Sequence, residues 1–246
     1  AITELQAHVR EDFATPKGIF LLDESGIVKS GDCSVGVKKQ YCGSVGKLEN
    51  CQVGVFLAYA SDHGHAFLDC RLFLPEDWVD DPVRRQKARV PEEITVRTKP
   101  QIAGDLLFPL LDAGFPGEWV AADTIYGNSP ELRDGLIARN QKFVLGVSSA
   151  LPAWVNPPRL CGVKKRSGLV FEVCEKGPQK RTVAEVASAM RPQKWKRLRV
   201  FEGSKGPRIY DWAAKKVYVS QEGGVGPKLW LLVRRSVSDP TECAYY

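Results

Sequence analysis

Two aspartates stand at the ends of short apolar runs. In GIFLLDESG, residues 18–26, Ile19 to Leu22 lead straight into Asp23 and Glu24. In EWVAAD, residues 118–123, a second such run ends on Asp123. Sites in α/β sheets gather at strand ends, where loops leave the core. On adjacent strands, two such carboxylates point into one shallow cleft. Bare, they repel, and one must take up a proton. A divalent cation removes that conflict, and hard oxygen ligands suit Mg²⁺ (or Mn²⁺), which keeps waters and takes phosphate oxygens as further ligands. Two such ions ~3.5–4 Å apart activate a water and stabilise the leaving oxygen of a phosphodiester. The competing reading is a turn, because Asp bonds its own backbone. It outweighs the chemical reading for either Asp alone, and the matched pair brings the two level.

The elements that must position this pair follow from periodicity. Residues 1–12 pattern as a short amphipathic helix with Ile2, Leu5 and Val9 on one face. Residues 18–23 pattern as a fully buried strand, and 25–50 as a turn-rich hairpin region. CQVGVFLAYAS (51–61) and AFLDCRLFLP (66–75) flank the turn D-H-G-H and predict a hairpin. Residues 76–97 are expected to be a surface loop. Thr98 caps a helix with Pro100 in its first turn, and Gly114 ends it. The strand 118–123, a helix opened by N-S-P-E (128–131) and a strand at 142–148 follow. A hairpin followed by βαβ-type units predicts an α/β fold, a mixed sheet with helices on its faces.

Prolines 152, 157 and 158 mark a change of texture. Beyond them LVFEVCE, RLRVFEG and KKVYVSQ predict a β-rich module with one short helix near 182–190. KLWLLVRRS (228–236) is expected to return to the main sheet.

The chain has 246 residues, 43% hydrophobic and 26% charged, enough to fill a real core. Its charge is uneven. Residues 159–208 hold 14 Lys and Arg against four acids; that segment is +10, the whole chain is +6, and the remainder is −4. A basic module on a mildly acidic body fits a polyanion, most simply nucleic acid, with a solvated basic surface at even odds. Every apolar run falls short of the ~20 residues that cross a bilayer, so no membrane association is expected. Seven cysteines, an odd number without C-x-x-C, predict reduced thiols and a cytoplasmic location. His63, His65 and Cys70 lack the repeated spacing of zinc ligands.

Further residues suit DNA contact. Lys38, Lys39, Gln40, Tyr41 and Lys47 combine flexible cations with an aromatic ring near the proposed cleft, although an exposed hairpin has the same composition. Lys194, Lys196, Arg197 and Arg199 alternate with apolar residues, as a strand face tracking a phosphate backbone would. Tyr126 either lines the cleft or fills the core. Trp154, Trp212 and Trp230 are assigned to packing.

Six stretches in order carry a resemblance: LLDESG, SVGVKKQYCGSVGKLENCQVGVFLAY, GHAFLDCRLFLPEDW, RTKPQIA, WVAADTIYG and WLLVRRSVSDP. Together they look like bacterial insertion-sequence transposases of the DDE class, in the group whose ribonuclease H-like core is interrupted by a β-rich insertion. The resemblance covers nearly the whole chain. It implies a catalytic core at 1–149 and 228–246 and a basic insertion at 150–227. It implies that Asp23 and Asp123 are the first two acids of the triad and hold the metal ion. It further implies hydrolysis and strand transfer at transposon ends on double-stranded DNA; a homodimer is one assembly considered, and the oligomeric state is left open. The third acid of the family is a glutamate on a helix after the insertion. Here the sequence stops at Tyr246 before such a helix, and Glu242 is not assigned that role. The chain is therefore expected to be a piece of a longer transposase with impaired catalysis. The alternatives are a DNA-binding remnant without catalysis and a structure-selective nuclease of the ribonuclease H-like class.

Overall fold

The computed structural model describes residues 1–165, 168–174, 176–203, 206–221 and 224–246. Arg166, Glu175 and Lys205, counted above in the basic segment, lie outside the described residues. The chain forms two compact units, Ala1–Leu145 and Gly146–Tyr246.

The first unit runs α1 (Ile2–Asp12), β1 (Ile19–Val28), β2 (Lys38–Cys42), β3 (Lys47–Ser61), β4 (Gly64–Phe73), α2 (Glu76–Val79), α3 (Pro82–Lys87), α4 (Lys99–Asp112), β5 (Trp119–Ala122), α5 (Thr124–Gly127), α6 (Pro130–Ala138) and β6 (Lys142–Leu145). Its sheet has the order β2-β3-β1-β5-β6, with β4 also paired to β3, on the edge opposite β1 and in line with β2. β1 is antiparallel to β3 and parallel to β5, and β5 is parallel to β6. This mixed α/β arrangement is consistent with the ribonuclease H-like fold expected from sequence.

Local chemistry sets the boundaries of the long helix. The Thr98 hydroxyl accepts the Gln101 N–H, the Gln101 side chain accepts the Thr98 N–H, and Pro100 fills the first turn of α4. Gly114 closes the end at a φ of 66°, a conformation that favours glycine. Ile102, Leu106 and Leu107 of α4 and Leu132 and Leu136 of α6 pack with Phe20, Leu22, Val55, Leu57, Tyr59 and Val120 of the sheet.

That packing refines the expectations in detail. β1 is not buried throughout: Phe20 and Leu22 face the helices, while Ile19 and Leu21 are more than a third exposed. The long helices cover one face of the sheet, and the opposite face shows Ile19, Leu21, Phe67, Trp119 and Val144 to solvent. Residues 76–97 are not simply a loop. They contain α2 and α3, and α2 drives Trp78 into a small core with Val37 and Leu74, its indole N–H donating to the Val37 carbonyl at 2.7 Å. In α1, Val9 is buried while Ile2 and Leu5 are exposed.

The second unit comprises β7 (Pro152–Trp154), β8 (Leu160–Lys165), β9 (Gly168–Val173), β10 (Arg181–Thr182), α7 (Val183–Ser188), a 3-10 turn at Pro192–Lys194, β11 (Lys196–Gly203), β12 (Gly206–Gln221), β13 (Gly224–Ser236) and β14 (Cys243–Tyr245). The β-rich module and its short helix are as the sequence predicted. The strand 228–236 is not. It lies within β13, antiparallel to β12 and β14 in the second unit's own sheet, whose order is β10-β7-β12-β13-β14 with β11 on β12. Its alternating Leu231 and Val233 find their partners in Val217 and Val219 of β12 and Val183 and Val186 of α7. The long β12–β13 hairpin thus satisfies it locally.

Cys161 and Cys174 are joined in a disulfide across the β8–β9 hairpin, which corrects the expectation that every thiol is reduced. No helix among the described residues is long and apolar enough to cross a membrane.

Asp211 of β12 is buried and held by Arg197 at 2.9 Å and Arg235 at 3.2 Å. The Arg197 hydrogen bond, ahead of Arg235, lowers its carboxyl below the ordinary 3.8. A carboxylate held low in the fold stabilises above its unfolded value and loses that contribution as pH falls through the folded one. Asp211→Asn should therefore lower Tm at pH 7, and the difference from the parent should close as pH drops below the aspartate range. A Tm gap that persists unchanged in acid would show that the ion pairs are not its source.

Candidate active site

The parallel pairing of β1 with β5 ends at Leu22 opposite Ala122, so the next residue on each strand is Asp23 and Asp123. The sequence expectation that both stand at the same end of adjacent strands matches this register. One detail differs. β1 does not stop at Asp23 but runs on to Val28 against β3, so only its pairing with β5 ends there.

Both side chains are exposed and anchored by backbone. Asp23 Oδ1 accepts the Glu24 N–H at 2.8 Å, and Asp123 Oδ1 accepts the Ile125 N–H at 2.9 Å as the cap of α5. The turn-forming reading is thus realised as well. It fixes the orientation of each carboxylate through Oδ1. Partial burial first, and then the negative charges of Glu24 and Asp23, push the Asp123 carboxyl above its ordinary value. The Asp123 carboxyl thus senses the charges of its acidic neighbours.

Sequence reasoning missed the layer beneath the pair. β1 alternates, so Glu24 turns toward the helix-covered side, where its register partner Val55 is fully buried. There Glu24 Oε1 meets Lys99 Nζ at 3.0 Å, and the two side chains are only 13% and 19% exposed. Lys99 is the first residue of α4, where the helix dipole disfavours a cation. The neighbouring carboxylate offsets that cost. Among the described residues neither Glu24 Oε2 nor the Tyr126 hydroxyl that faces Glu24 has a hydrogen-bond partner within bonding geometry. Tyr126 is fully buried, which resolves the earlier choice in favour of the core. Burial and then the charge of Glu24 raise its phenol, so it stays a neutral hydroxyl against the carboxylate. The available signal was the alternation of β1, which sends Asp23 and Glu24 to opposite faces.

Among the described residues, no group of three or more His, Cys, Asp and Glu side chains is assembled to hold a metal ion. The donor chemistry of the pair still fits a hard divalent cation, because two exposed carboxylates stand at one strand end and nearby negative charge raises Asp123, a conflict that a bound cation relieves.

The proposed DNA-contacting residues separate. On β2, Lys38 is paired with Asp77 at 2.9 Å, and the Gln40 amide donates to the Cys51 carbonyl. Lys47 is paired with Glu49 at 3.1 Å, while Lys39 and Tyr41 are exposed. In the second unit, Lys194 ends the 3-10 turn and Lys196, Arg197 and Arg199 lie on β11, with Arg197 committed to Asp211.

Residues 2–207 match the family model described as DDE superfamily endonuclease. The chain is also similar to a probable transposase for insertion sequence element IS701 from Microchaete diplosiphon, 33% identical over 111 residues. That match takes in 45% of this chain and 26% of the relative, so the chain spans well under half of the relative's length.

Proposed function

This chain belongs to the DDE superfamily endonucleases, and on that footing we propose that Asp23 and Asp123 hold a divalent cation, Mg²⁺ or Mn²⁺, for cutting and rejoining DNA phosphodiesters as a transposase does. The observation that carries the reading is the β1–β5 register, in which Asp23 and Asp123 follow the last paired residues at one end of adjacent parallel strands. A bound cation would supply charge neutralisation and a Lewis-acid contact to a phosphate oxygen, and would acidify a water. The chain's own residues supply the orientation. The Glu24 and Ile125 amides fix the two carboxylates, so little rearrangement is needed on binding. Lys99 pairs with Glu24 and holds it beneath the rim that Asp23 and Asp123 form. We assign Lys99 and Glu24 as positioning residues beneath the site. Double-stranded DNA is the proposed substrate, and a homodimer is the proposed assembly for joining two ends.

Metal binding tests this directly. Titration of Mn²⁺ followed by electron paramagnetic resonance should show a site in the parent that weakens at least about tenfold in Asp23→Asn and in Asp123→Asn, the loss expected when one of two anionic ligands becomes neutral. Asn keeps the capping geometry at Asp123, so the fold should be unchanged by circular dichroism. Equal Mn²⁺ affinity in parent and both variants would remove the pair from the metal site.

A further inference from the structure

A second site lies wholly within the second unit. A groove of about 710 Å³ is bordered by Arg181, Arg191, Lys194, Lys215, Lys216 and Lys228, with Trp230 at its wall and no Asp or Glu among its lining residues. Among the described residues none of these six cations is in an ion pair. They come from β10, the turns around the 3-10 segment, β12 and β13, so the fold has gathered charges that lie far apart in sequence. Like charges crowded without counter-ions cost stability, and a polyanion is the ligand that relieves the cost.

Trp230 supplies the rest. It is 63% exposed, whereas Trp154 and Trp78 are at or below 2%, so packing does not account for it. On β12 and β13, Lys216 lies opposite Trp230 and Tyr218 opposite Lys228, so all four share one face of the sheet. Lys216 Nζ lies 4.9 Å from the Trp230 ring centre, and Lys228 Nζ 5.5 Å from that of Tyr218. An open ring flanked by ammonium groups offers a flat surface for a base and cations for the adjoining phosphates. In duplex DNA the base faces are stacked within the helix, so this combination suits an unpaired strand.

We propose that this groove binds single-stranded DNA, with Trp230 stacking on an unpaired base and Lys216 and Lys228 contacting its phosphates. The assignment stands on the second unit alone and does not depend on the metal site. Only Lys194 of the groove was among the residues that the sequence pointed to.

The test is fluorescence anisotropy of a labelled oligothymidine with the 246-residue chain at several salt concentrations. Trp230→Ala should weaken binding by roughly five- to hundredfold, the span of one base–aromatic stack, with less effect on a duplex of equal length. Lys216→Glu with Lys228→Glu should flatten the log–log salt slope by about 1.4 units or more, since each single-strand phosphate contributes about 0.7. Trp230→Phe should recover most of the loss, which a packing defect would not. Asp23→Asn and Asp123→Asn should bind oligothymidine as the parent does, separating this site from the metal site. Failure of the parent to bind oligothymidine, parent-like binding by Trp230→Ala, equal loss on duplex and single strand, or tighter binding of oligouridine than oligothymidine would each overturn the proposal.

Discussion

On the proposed metal-site reading, Asp123→Asn is expected to reduce whatever divalent-metal-dependent DNA nicking the parent shows by about a thousandfold or more. The size follows from what the cation does: several kcal/mol of transition-state charge stabilisation, at about 1.4 kcal/mol per factor of ten. Asn preserves the volume and accepts the same Ile125 N–H that Asp123 now holds at 2.9 Å, so the substitution removes charge and little else. Asp23→Asn should act alike, because its Oδ1 contact to the Glu24 N–H also survives in Asn. Conversion of supercoiled plasmid to nicked circle in Mn²⁺ measures both. Nicking within tenfold of the parent in either variant would mean that the carboxylate replaced does not hold the metal. The double variant should be no worse than the worse single one, since the two carboxylates serve one cation.

The second large effect lies beneath the pair. Lys99→Met leaves Glu24 mostly buried with both oxygens lacking a partner, since Oε2 has none already. Removing one member of a buried ion pair costs about 3–5 kcal/mol. The 13% exposure of Glu24 admits some water, which places the expectation near the lower end of that range. For a unit of this size that is a Tm drop of roughly 6–12 °C. Adding Glu24→Gln to Lys99→Met should recover a large part of it, because the stranded charge is gone. Thermal melting of the two variants reads the difference. A Lys99→Met chain within about 1 kcal/mol of the parent would show that the pair is solvated, and the positioning role would fall with it.

What the sequence disclosed and what it concealed divide along physical lines. Thr98, Pro100 and Gly114 act within a few residues of themselves, so α4 was legible to within a residue. The alternation of β3 and β4 and the turn between them were legible for the same reason. The Asp23–Asp123 register was legible because two strand ends of one kind imply one sheet edge. Partner choice was not legible. The apolar pattern of 228–236 states that it is a strand and is silent about which sheet receives it, and β12 captured it through a tight hairpin. α2 and α3 were missed because they are short, α2 starting just after Pro75 and α3 on Pro82, and what fixes α2 is the remote Val37 carbonyl. Glu24 was hidden by its neighbour. Only the pleat of β1 shows that adjacent acids serve opposite faces, one presented to solvent and the other locked on Lys99. Trp230 was read as core because tryptophan usually is, and its exposure is decided by cross-strand neighbours that periodicity does not reveal.

The order in which β1 gains its neighbours bears on how the first unit acquires its site in time. Its antiparallel partner β3 follows within the next few dozen residues, but its parallel partner β5 pairs Ile19 with Trp119, a hundred positions along the chain. Long loops close late, and non-local parallel pairings are the slow steps of folding. The β1–β3–β4 meander can form while the chain is still being synthesised, with Asp23 already in place but alone. Asp123 joins it only when β5 docks, and docking needs the apolar surface that α4 and α6 supply. Assembly of the carboxylate pair is thus coupled to the last barrier of the first unit, so refolding followed by Mn²⁺ binding should lag behind refolding followed by β-sheet circular dichroism.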